Sequence, residues 1–394
     1  MQMRILHTSD WHLGATLGGF SRLEEQRALL GEICRLARDR HVDVVLVAGD
    51  VYDSYTPPAA AEQLFLDAMN TLSRDGIACF VIAGNHDSPE RLCAPRALAG
   101  AQGVYILGLP GETPQGEGLL ESAPGFARFR PRGCDCDCAI AAVPYPSMGR
   151  LGCSEEEYAG RVGELFRAAD ARFRPEYVNL AVSHLFARGG SAGGVERPIE
   201  GVGGALCVGE DNLSRAQYVA LGHLHRAQRA AGARYSGSIM QQDFGESGQM
   251  KQVLLVDVEP GGEAQVTEVP LICGRYLARW HVGSLDEARS LIAEGRDAQG
   301  WIELTVESAT PPTERELTEL MRLRERIVCA RWQGVGRHEQ GDTIDWTSRP
   351  RQELFEAFYR QAKGCEPPRD VTALFLELMS EEGGDGDETA EADL

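Results

Sequence analysis

Residues 78–89 of the chain read ACFVIAGNHDSP. The apolar, β-branched run at 80–82 is typical of a buried strand. Such a strand normally ends in turn residues without a chemical task, whereas in this chain an amide, an imidazole and a carboxylate follow at Asn85, His86 and Asp87. These three side chains indicate a functional site at the end of the strand.

Strands and helices alternate around this stretch. The strand-like runs MRILHTSD, VDVVLVAGD and ACFVIAGN are separated by the amphipathic segments EEQRALLGEICRLARDR and AAAEQLFLDAMNTLSRDG. Further apolar strands follow at CAIAAVPY, YVNLAVSH, QYVALGH and QVLLVDV. Continuous apolar strands between amphipathic helices predict an α/β architecture with a sheet covered on both faces.

The composition is that of an ordinary globular protein, with 43% hydrophobic and 25% charged residues, and the length of 394 residues predicts two or three domains. The sequence shows neither a membrane-spanning apolar stretch nor a leader, so we expect a cytoplasmic location and no membrane partner. The net charge of −20 argues against a generally basic nucleic-acid coat. Local arginines and divalent metals can still contact phosphates, so a nucleic-acid enzyme is not excluded.

The pattern changes after residue 270. Residues 275–346 are predicted to form a small α+β unit with strands RYLARWHV and WIELTVES and helices LDEARSLIAEG and TERELTELMRLRERI, the second helix opening at Pro311-Pro312-Thr313. Two short amphipathic helices follow within 350–380, and their apolar faces need a partner surface or their own chain. Residues 381–394 form an acidic tail of the kind that is solvated and disordered.

The eleven cysteines are scattered, which fits reduced thiols. Cys134, Cys136 and Cys138 are the exception, because alternate strand residues would place three sulfurs on one face. Two interpretations stay open, a hairpin strand entering AIAAVPY and a zinc or redox site. The hairpin is favoured because the paired CxxC spacing of zinc sites is absent.

Residues with metal-ligand chemistry follow five of the predicted strands. They are Asp10 and His12; Asp50 and Asp53; Asn85, His86 and Asp87; His184; and His223 and His225. In α/β sheets, ligands bind in the crevice beyond the carboxyl ends of the strands. Carboxylates, imidazoles and an amide oxygen without a thiolate suit manganese or iron better than structural zinc. Enough donors are present for two metals about 4 Å apart, with one carboxylate bridging them.

Each motif alone has an ordinary explanation. An Asp-x-His at a strand end is usually a cap or turn, and a His-x-His pair is only somewhat more specific. Five such strand ends in one chain have no explanation from packing, and therefore favour a metal site. Glycines 49, 84 and 222 are predicted to let the backbone turn sharply before the ligand that follows each.

The motifs Asp10-x-His12, Gly49-Asp50-x-x-Asp53, Gly84-Asn85-His86-Asp87, His184 and Gly222-His223-x-His225 resemble, in order, the five motifs of the calcineurin-like metallophosphoesterases. The stretches ILHTSDWHLG, VAGDVYD and ALGHLHR are most similar to the bacterial DNA-repair nucleases of that family. The resemblance implies a four-layer sandwich of two mixed sheets flanked by helices, with the nuclease domain at 1–270.

The resemblance also implies a role for each site residue. Asp10, His12, Asp50 and His225 would hold one metal, and Asp50 as the bridge would share the second with Asn85, His184 and His223. His86 would lie beside the scissile phosphate, Asp87 would orient its ring, and Asp53, which stands where some relatives carry histidine, would support the ligands. The metals would activate a water for in-line attack without a protein nucleophile.

From the same resemblance we expect a manganese-dependent nuclease, with iron(II) as the other candidate metal, that acts on DNA ends as a double-strand exonuclease and a single-strand or hairpin endonuclease. Residues 275–346 would cap the DNA, and 350–380 would bind an SMC-like ATPase in a heterotetramer at the nucleoid. A homodimer through helices of the first domain is also expected. Two alternatives remain, a small-molecule or cyclic-nucleotide phosphodiesterase with the same metal core and a non-catalytic scaffold.

Overall fold

The computed structural model describes residues 2–193, 200–201, 204–334 and the single positions 355, 359, 367, 368, 371 and 372. By its contacts the chain divides into a unit Met1–Gly334 and a unit Val335–Leu394. In the second unit Phe355, Tyr359, Val371 and Thr372 are helical, and the rest of the predicted segment 350–380 and the whole tail 381–394 lie outside the described residues. Residues 335–346 of the predicted α+β unit lie outside them as well.

The first unit begins with alternating strands and helices and continues with longer runs of strands. Its first part contains β1 (Met3–Thr8), β2 (Thr16–Leu17), β3 (Phe20–Ser21), α1 (Leu23–Asp39), β4 (Val44–Ala48), α2 (Ala59–Arg74), β5 (Ala78–Ile82), α3 (Pro89–Cys93), α4 (Arg96–Gly100) and β6 (Val104–Leu107). The middle contains β7 (Leu119–Ala123), β8 (Phe126–Phe129), β9 (Cys138–Val143), α5 (Met148–Leu151), α6 (Glu155–Asp170), β10 (Val178–His184), β11 (Glu200–Gly201), β12 (Gly204–Ala205), β13 (Tyr218–Gly222), β14 (Gln228–Ala230) and β15 (Ala233–Tyr235). The last part contains β16 (Gln252–Val258), β17 (Gln265–Pro270), β18 (Leu277–Val282), α7 (Leu285–Ala293), β19 (Trp301–Ser308), α8 (Glu314–Leu323) and β20 (Ile327–Gly334).

Two mixed sheets form the body of the first unit. The first sheet has the order β17-β16-β1-β4-β5-β6, in which β1, β4, β5 and β6 run parallel and β16 pairs antiparallel with β1. The second sheet has the order β14-β15-β13-β10-β9-β8-β7, with β9, β10 and β13 parallel. In each sheet the strands that precede the predicted site residues are therefore adjacent and point the same way.

The two sheets pack face to face between outer helices. Side chains such as Leu46, Phe80, Ile140 and Leu180 fill the layer between the sheets, where all four are fully buried. The other face of the first sheet packs against α1 and α2, and the other face of the second sheet packs against α6. This confirms the predicted four-layer α/β sandwich, and it explains why the strands are apolar on both faces.

Within the first unit, a smaller α+β unit follows the sandwich. It consists of three parallel strands, β18-β19-β20, with α7 and α8 packed on one face. Thr313 caps α8 as predicted, and a capping box with Glu316 satisfies its first backbone amides. The predicted end of this helix was wrong. The helix ends at Leu323, and Ile327 opens β20 instead, because Ile327, Cys329 and Ala330 pair with β19.

The smaller unit joins the sandwich through a mixed apolar and polar contact. Trp301 packs with Leu17, and its indole nitrogen donates to Glu25 at 3.2 Å. Glu25 also pairs with Arg22 at 2.7 Å, and both of these side chains are almost completely buried. The start of α1 is therefore the anchor of the junction.

The cysteine stretch does not form the predicted continuous strand. Cys138 opens β9, whereas Cys134 and Cys136 lie in the turn before it and pack partly against the inter-sheet core. Burial raises the pKa of the Cys134 thiol to about 12, and no metal-type cluster of the described residues includes these cysteines. No helix within the described part of the chain has the length and apolar character needed to span a bilayer.

Candidate metal centre

The predicted ligands meet where the carboxyl ends of the two sheets face each other. The Nδ1 of His184, at the end of β10, lies 2.8 Å from the carbonyl oxygen of Ala48, at the end of β4. The backbone N–H of His223 donates to Asp10 at 3.0 Å, and the Nε2 atoms of His12 and His225 lie 3.1 Å apart. Residues more than 200 positions apart in the sequence thus form one cluster.

Asp50 lies at the middle of this cluster. Its Oδ2 is 3.3 Å from His184 Nε2 and 3.7 Å from His12 Nε2. On the other side, Asn85 Oδ1 lies 2.9 Å from His184 Nε2 and 3.0 Å from His223 Nδ1. The atoms of three groups lie close enough to share a metal ion: Asp10, His12 and His225; His12, Asp50 and His86; and Asp10, Asp50 and His184.

The donor set fits divalent metals. It consists of carboxylate oxygens, imidazole nitrogens and an amide oxygen, which are ligands that divalent transition metals such as manganese accept. The Nδ1 atom of His223 and the Nε2 atom of His184 both face the amide oxygen of Asn85, at 3.0 and 2.9 Å, so these three donors lie together. The two nitrogens of His12 and His225, 3.1 Å apart, likewise face a common point.

The carboxylates control the protonation of the histidines around them. Burial opposes the charged form of His12, but Asp53 and Asp50 outweigh it and raise its pKa to about 9. Asp50 likewise outweighs burial at His184 and raises its pKa to about 9, whereas burial beside His184 lowers the pKa of His223 to about 3. Protons on the histidines thus balance the carboxylates, and bound cations would displace these protons.

The backbone is unusual at the ligand positions. Seven non-glycine residues in the described part of the chain have a positive φ, and four of them are Asp10 at 52°, His12 at 45°, Asp50 at 49° and His223 at 101°. Side chains other than glycine disfavour this region, and such conformations concentrate at functional sites. At these four predicted ligand positions the turn is therefore made by the residue itself.

This finding corrects the predicted role of the glycines. Gly49 does have a positive φ of 87°, but Gly84 and Gly222 do not. They are required by close approach instead. A Cβ at Gly84 would collide with Asp50, and a Cβ at Gly222 would collide with the carbonyl of Ala48. Both collisions lie where the strand ends are pressed together around the cluster.

Asp87 does not orient the His86 ring, contrary to the role implied by the resemblance. Its fully buried carboxylate accepts hydrogen bonds from the backbone N–H groups of Val51 at 3.1 Å, Tyr52 at 2.8 Å and Gly84 at 2.8 Å. All the hydrogen bonds that the structure gives this carboxylate come from these three amides of two loops, and the His86 ring bonds elsewhere. Asp87 therefore joins the loop after β4 to the loop after β5.

Asp53 contacts His86 instead. The Nδ1 of His86 lies 2.8 Å from the backbone carbonyl oxygen of Asp53, and the backbone N–H of His86 donates to Asp50 at 2.8 Å. The Asp53 carboxylate lies 3.3 Å from His12 Nδ1. A carbonyl oxygen only accepts, so Nδ1 of His86 carries a proton and Nε2 is the nitrogen left for a substrate.

Comparison with known proteins agrees with this geometry. Residues 3–122 match the family profile described as calcineurin-like phosphoesterase. The chain is 37% identical to the SbcD subunit of the SbcCD nuclease of Bacillus subtilis (strain 168) over 396 aligned residues, which cover 96% of this chain and 98% of the relative. The chain belongs to the SbcD family. The SbcD subunit of Rhodobacter capsulatus is 35% identical over 68% of this chain and 69% of its own length.

Membership in the SbcD family and the Asp/His cluster together identify a metal-dependent phosphodiesterase of the nuclease type. The predicted family and fold are thereby confirmed, and the non-catalytic scaffold loses its support. A cavity of about 250 Å³ opens over the cluster, lined by predicted site residues and by Ala15, Thr16 and Gln242. A substrate phosphate thus has access to the donors from solvent.

One group behind the cluster was not predicted from the sequence. Glu246 is fully buried, accepts from His225 Nδ1 at 2.8 Å and pairs with Lys251 at 2.7 Å. Burial opposes its ionisation, but His225 and Lys251 outweigh burial and lower the pKa of Glu246 to about 2. A carboxylate behind a ligand histidine fixes the orientation of its ring. Glu246 lies in the polar segment QQDFGE, where no pattern distinguishes it from a turn residue.

Proposed function

We propose that this chain is a manganese-dependent DNA nuclease that hydrolyses phosphodiester bonds at DNA ends, as an exonuclease on double strands and an endonuclease on single strands and hairpins. The observation that carries the proposal is the convergence of donors from both sheets on Asp50, beside an imidazole that faces the cavity. The SbcD relatives, which are named as nuclease subunits, support it as well.

We assign the metal ligands as two sets that share Asp50. One set would be Asp10, His12, Asp50 and His225, and the second set would be Asp50, Asn85, His184 and His223. When bound, two divalent ions supply an acidified water for attack and neutralise charge on the phosphodiester. Manganese(II) is the assigned metal and iron(II) the alternative, because both accept mixed oxygen and imidazole ligands.

His86 is assigned to the substrate phosphate. Its ring is held from behind by the Asp53 carbonyl and its backbone by Asp50, so that Nε2 is free to face the cavity. A protonated Nε2 would stabilise charge on the phosphate or donate its proton to the leaving oxygen. Asp53 acts in this scheme through its carbonyl oxygen on His86 and through its carboxylate on His12.

The remaining assignments concern domains and partners. We assign residues 1–270 to the nuclease domain, 275–346 to a DNA-capping domain, 350–380 to the segment that binds an SbcC-type SMC-like ATPase, and 381–394 to an acidic tail. The expected assembly is a heterotetramer built on a homodimer of this chain, acting at the nucleoid in the cytoplasm. The name SbcCD of the relatives supports the ATPase partner.

The substrate assignment is tested by direct competition between substrate classes. The purified chain with manganese is offered duplex DNA ends, hairpins and cyclic nucleotides, and an Asp50→Asn variant serves as the inactive control. We expect cleavage of DNA by the wild type only, its loss with chelator, and its return on adding manganese. Rapid hydrolysis of cyclic nucleotides without attack on DNA would overturn the proposal in favour of a small-molecule phosphodiesterase.

The partner assignment has a separate test. Deletion of residues 352–394 is expected to leave basal manganese-dependent cleavage unchanged and to end co-purification with the ATPase. Retention of the ATPase by the shortened chain would contradict the assignment of 350–380. Metal analysis of the protein purified without added metal decides between manganese and iron. Light scattering measures the molar mass in solution and so tests the homodimer.

A further inference from the structure

Three side chains next to the metal centre have no part in the proposed mechanism. Tyr55, Tyr145 and Arg150 form what we call the rim cluster. The ring of Tyr145 lies edge-on to the ring of His184, with 6.2 Å between the centroids. Tyr55 lies two residues after Asp53, in the loop that leaves β4. The rim cluster therefore borders the metal centre at His184, and Tyr55 belongs to the same loop as Asp53.

The partners of Arg150 in the described part of the chain are neutral. Its Nη1 donates to the carbonyl oxygen of Tyr145 at 3.1 Å, and its Nη2 donates to the hydroxyl of Tyr55 at 3.3 Å. The guanidinium also lies over the Tyr145 ring, 5.5 Å from the centroid. Within the described residues, Arg150 forms no ion pair with a carboxylate. Two of its five N–H groups are engaged in these bonds, so the side chain is oriented but its charge is not neutralised.

A fixed, unneutralised cation at this place has an electrostatic consequence. The chain as a whole carries a net charge of −20. A DNA strand is itself a polyanion, so the phosphates on either side of the scissile bond approach a surface that repels them. An arginine beside the centre offsets this repulsion and matches the oxygens of a phosphodiester.

We propose that Arg150 binds a backbone phosphate adjacent to the scissile phosphate, and that Tyr55 presents its ring to the neighbouring nucleotide. The inference rests on the proposed function, because it takes the substrate to be a DNA strand. Tyr55 is 53% exposed although its hydroxyl is engaged, so the ring is open to a base that leaves the stack. Tyr145 keeps Arg150 in place by its carbonyl and its ring.

Binding is measured by the fluorescence anisotropy of a labelled duplex with a single-stranded end, with calcium replacing manganese and the DNA checked to be intact afterwards. Arg150→Ala is expected to weaken binding about tenfold and to reduce the slope of log affinity against log salt by about 0.7–0.9, the value of one phosphate contact. The loss is expected to be equal on unrelated sequences, because phosphate contacts carry no base information. Arg150→Lys restores the slope but only part of the affinity.

Arg38→Ala is the matched control. It removes the same charge from the end of α1, just before β4 begins. That end of β4 lies at the edge of the sheet opposite the metal centre, so this variant is expected to bind DNA as the wild type does. In manganese, Arg150→Ala is expected to raise KM about tenfold, with kcat within about twofold and metal content unchanged, since the group acts on substrate binding.

Three outcomes contradict the proposal. An unchanged affinity and salt slope in Arg150→Ala would overturn this phosphate site while leaving DNA cleavage by the wild type intact. A fall in kcat and metal content with unchanged DNA affinity would show that Arg150 only supports Tyr145 and His184. A wild-type chain that neither binds nor cleaves DNA would overturn the proposed function and the phosphate site together.

Discussion

Replacing Asp87 by asparagine separates two explanations of this residue. In the structure its Oδ1 accepts from Tyr52, and its Oδ2 accepts from Val51 and Gly84, all three from backbone N–H groups. Asparagine has nearly the same shape but only one acceptor oxygen. If that oxygen keeps the two bonds of Oδ2, the new NH₂ group faces the N–H of Tyr52, donor against donor.

The cost follows from these contacts. One hydrogen bond to a charged group is lost, about 1.5–3 kcal/mol, and one buried N–H is left unpaired, about 1–3 kcal/mol. Burial and the charge of Asp50 raise the pKa of Asp87 to about 6 against the opposing effect of its amide partners, so removing its charge relieves repulsion and offsets part of this loss. We expect the free energy of unfolding to fall by about 3 kcal/mol.

Urea denaturation of Asp87→Asn measures the loss, and calorimetric titration with manganese measures the metal affinity. We expect the affinity to fall at least about tenfold, because the loop that carries Asp50 loses an anchor. Asp67→Asn, on the exposed face of α2, is the control and is expected to stay within about 0.5 kcal/mol of the wild type. Wild-type stability and metal affinity in Asp87→Asn, combined with a lowered kcat, would refute this reasoning and restore the role of orienting His86.

Three further predictions follow, two for the metal centre and one for the junction at the start of α1. Asp50→Ala is expected to lose both metals in elemental analysis, whereas His86→Ala is expected to abolish cleavage with metal content nearly intact; equal loss of metal in both would contradict the role of His86 on the phosphate. Glu246→Gln is expected to weaken manganese binding about 10–100-fold in titration calorimetry, because the ligand histidine in front of it loses its orienting charge; wild-type affinity would exclude that contact. Glu25→Ala leaves its buried arginine partner unpaired and is expected to cost about 3–5 kcal/mol in urea denaturation. Glu24→Ala, an exposed neighbour on the same helix, is expected to change little, and an equal loss in both variants would point to the helix and not to the ion pair.

The sequence alone predicted that Asp, Asn and His residues at five strand ends would lie together, but it did not predict Glu246 behind them. The ligand-type residues follow apolar strands, and parallel strands that are neighbours in a sheet bring their carboxyl ends to one edge. The convergence of Asp10, Asp50 and Asn85 therefore follows from the strand order of the first sheet. What the strand pattern did not specify was the second sheet's position over the first, which brings His184 and His223 to the same point.

The backbone turns, the contacts of Asp87 and the end of α8 depend on tertiary contacts, which the periodicity of apolar residues does not predict. His223 adopts a positive φ that side chains disfavour, so a propensity argument assigns the turn to Gly222 before it. Asp87 follows His86 directly, and only the structure shows that its carboxylate faces backbone amides. Ile327 was predicted to lie in the last turn of a helix, because the apolar residues around it fit the helical period as well as the strand period. Its pairing with β19 shows that it belongs to a strand.

The site exists only when the two sheets are packed together. Asp10, Asp50 and Asn85 come from the first sheet, and His184 and His223 come from the second, so that no single sheet carries a complete set of ligands. The contact of His184 with the carbonyl of Ala48 and the exclusion of a Cβ at Gly222 by the same carbonyl show how closely the strand ends must approach. The apolar layer between the sheets therefore sets the distances within the metal centre, and a cavity made in that layer would disturb the ligands without touching one of them.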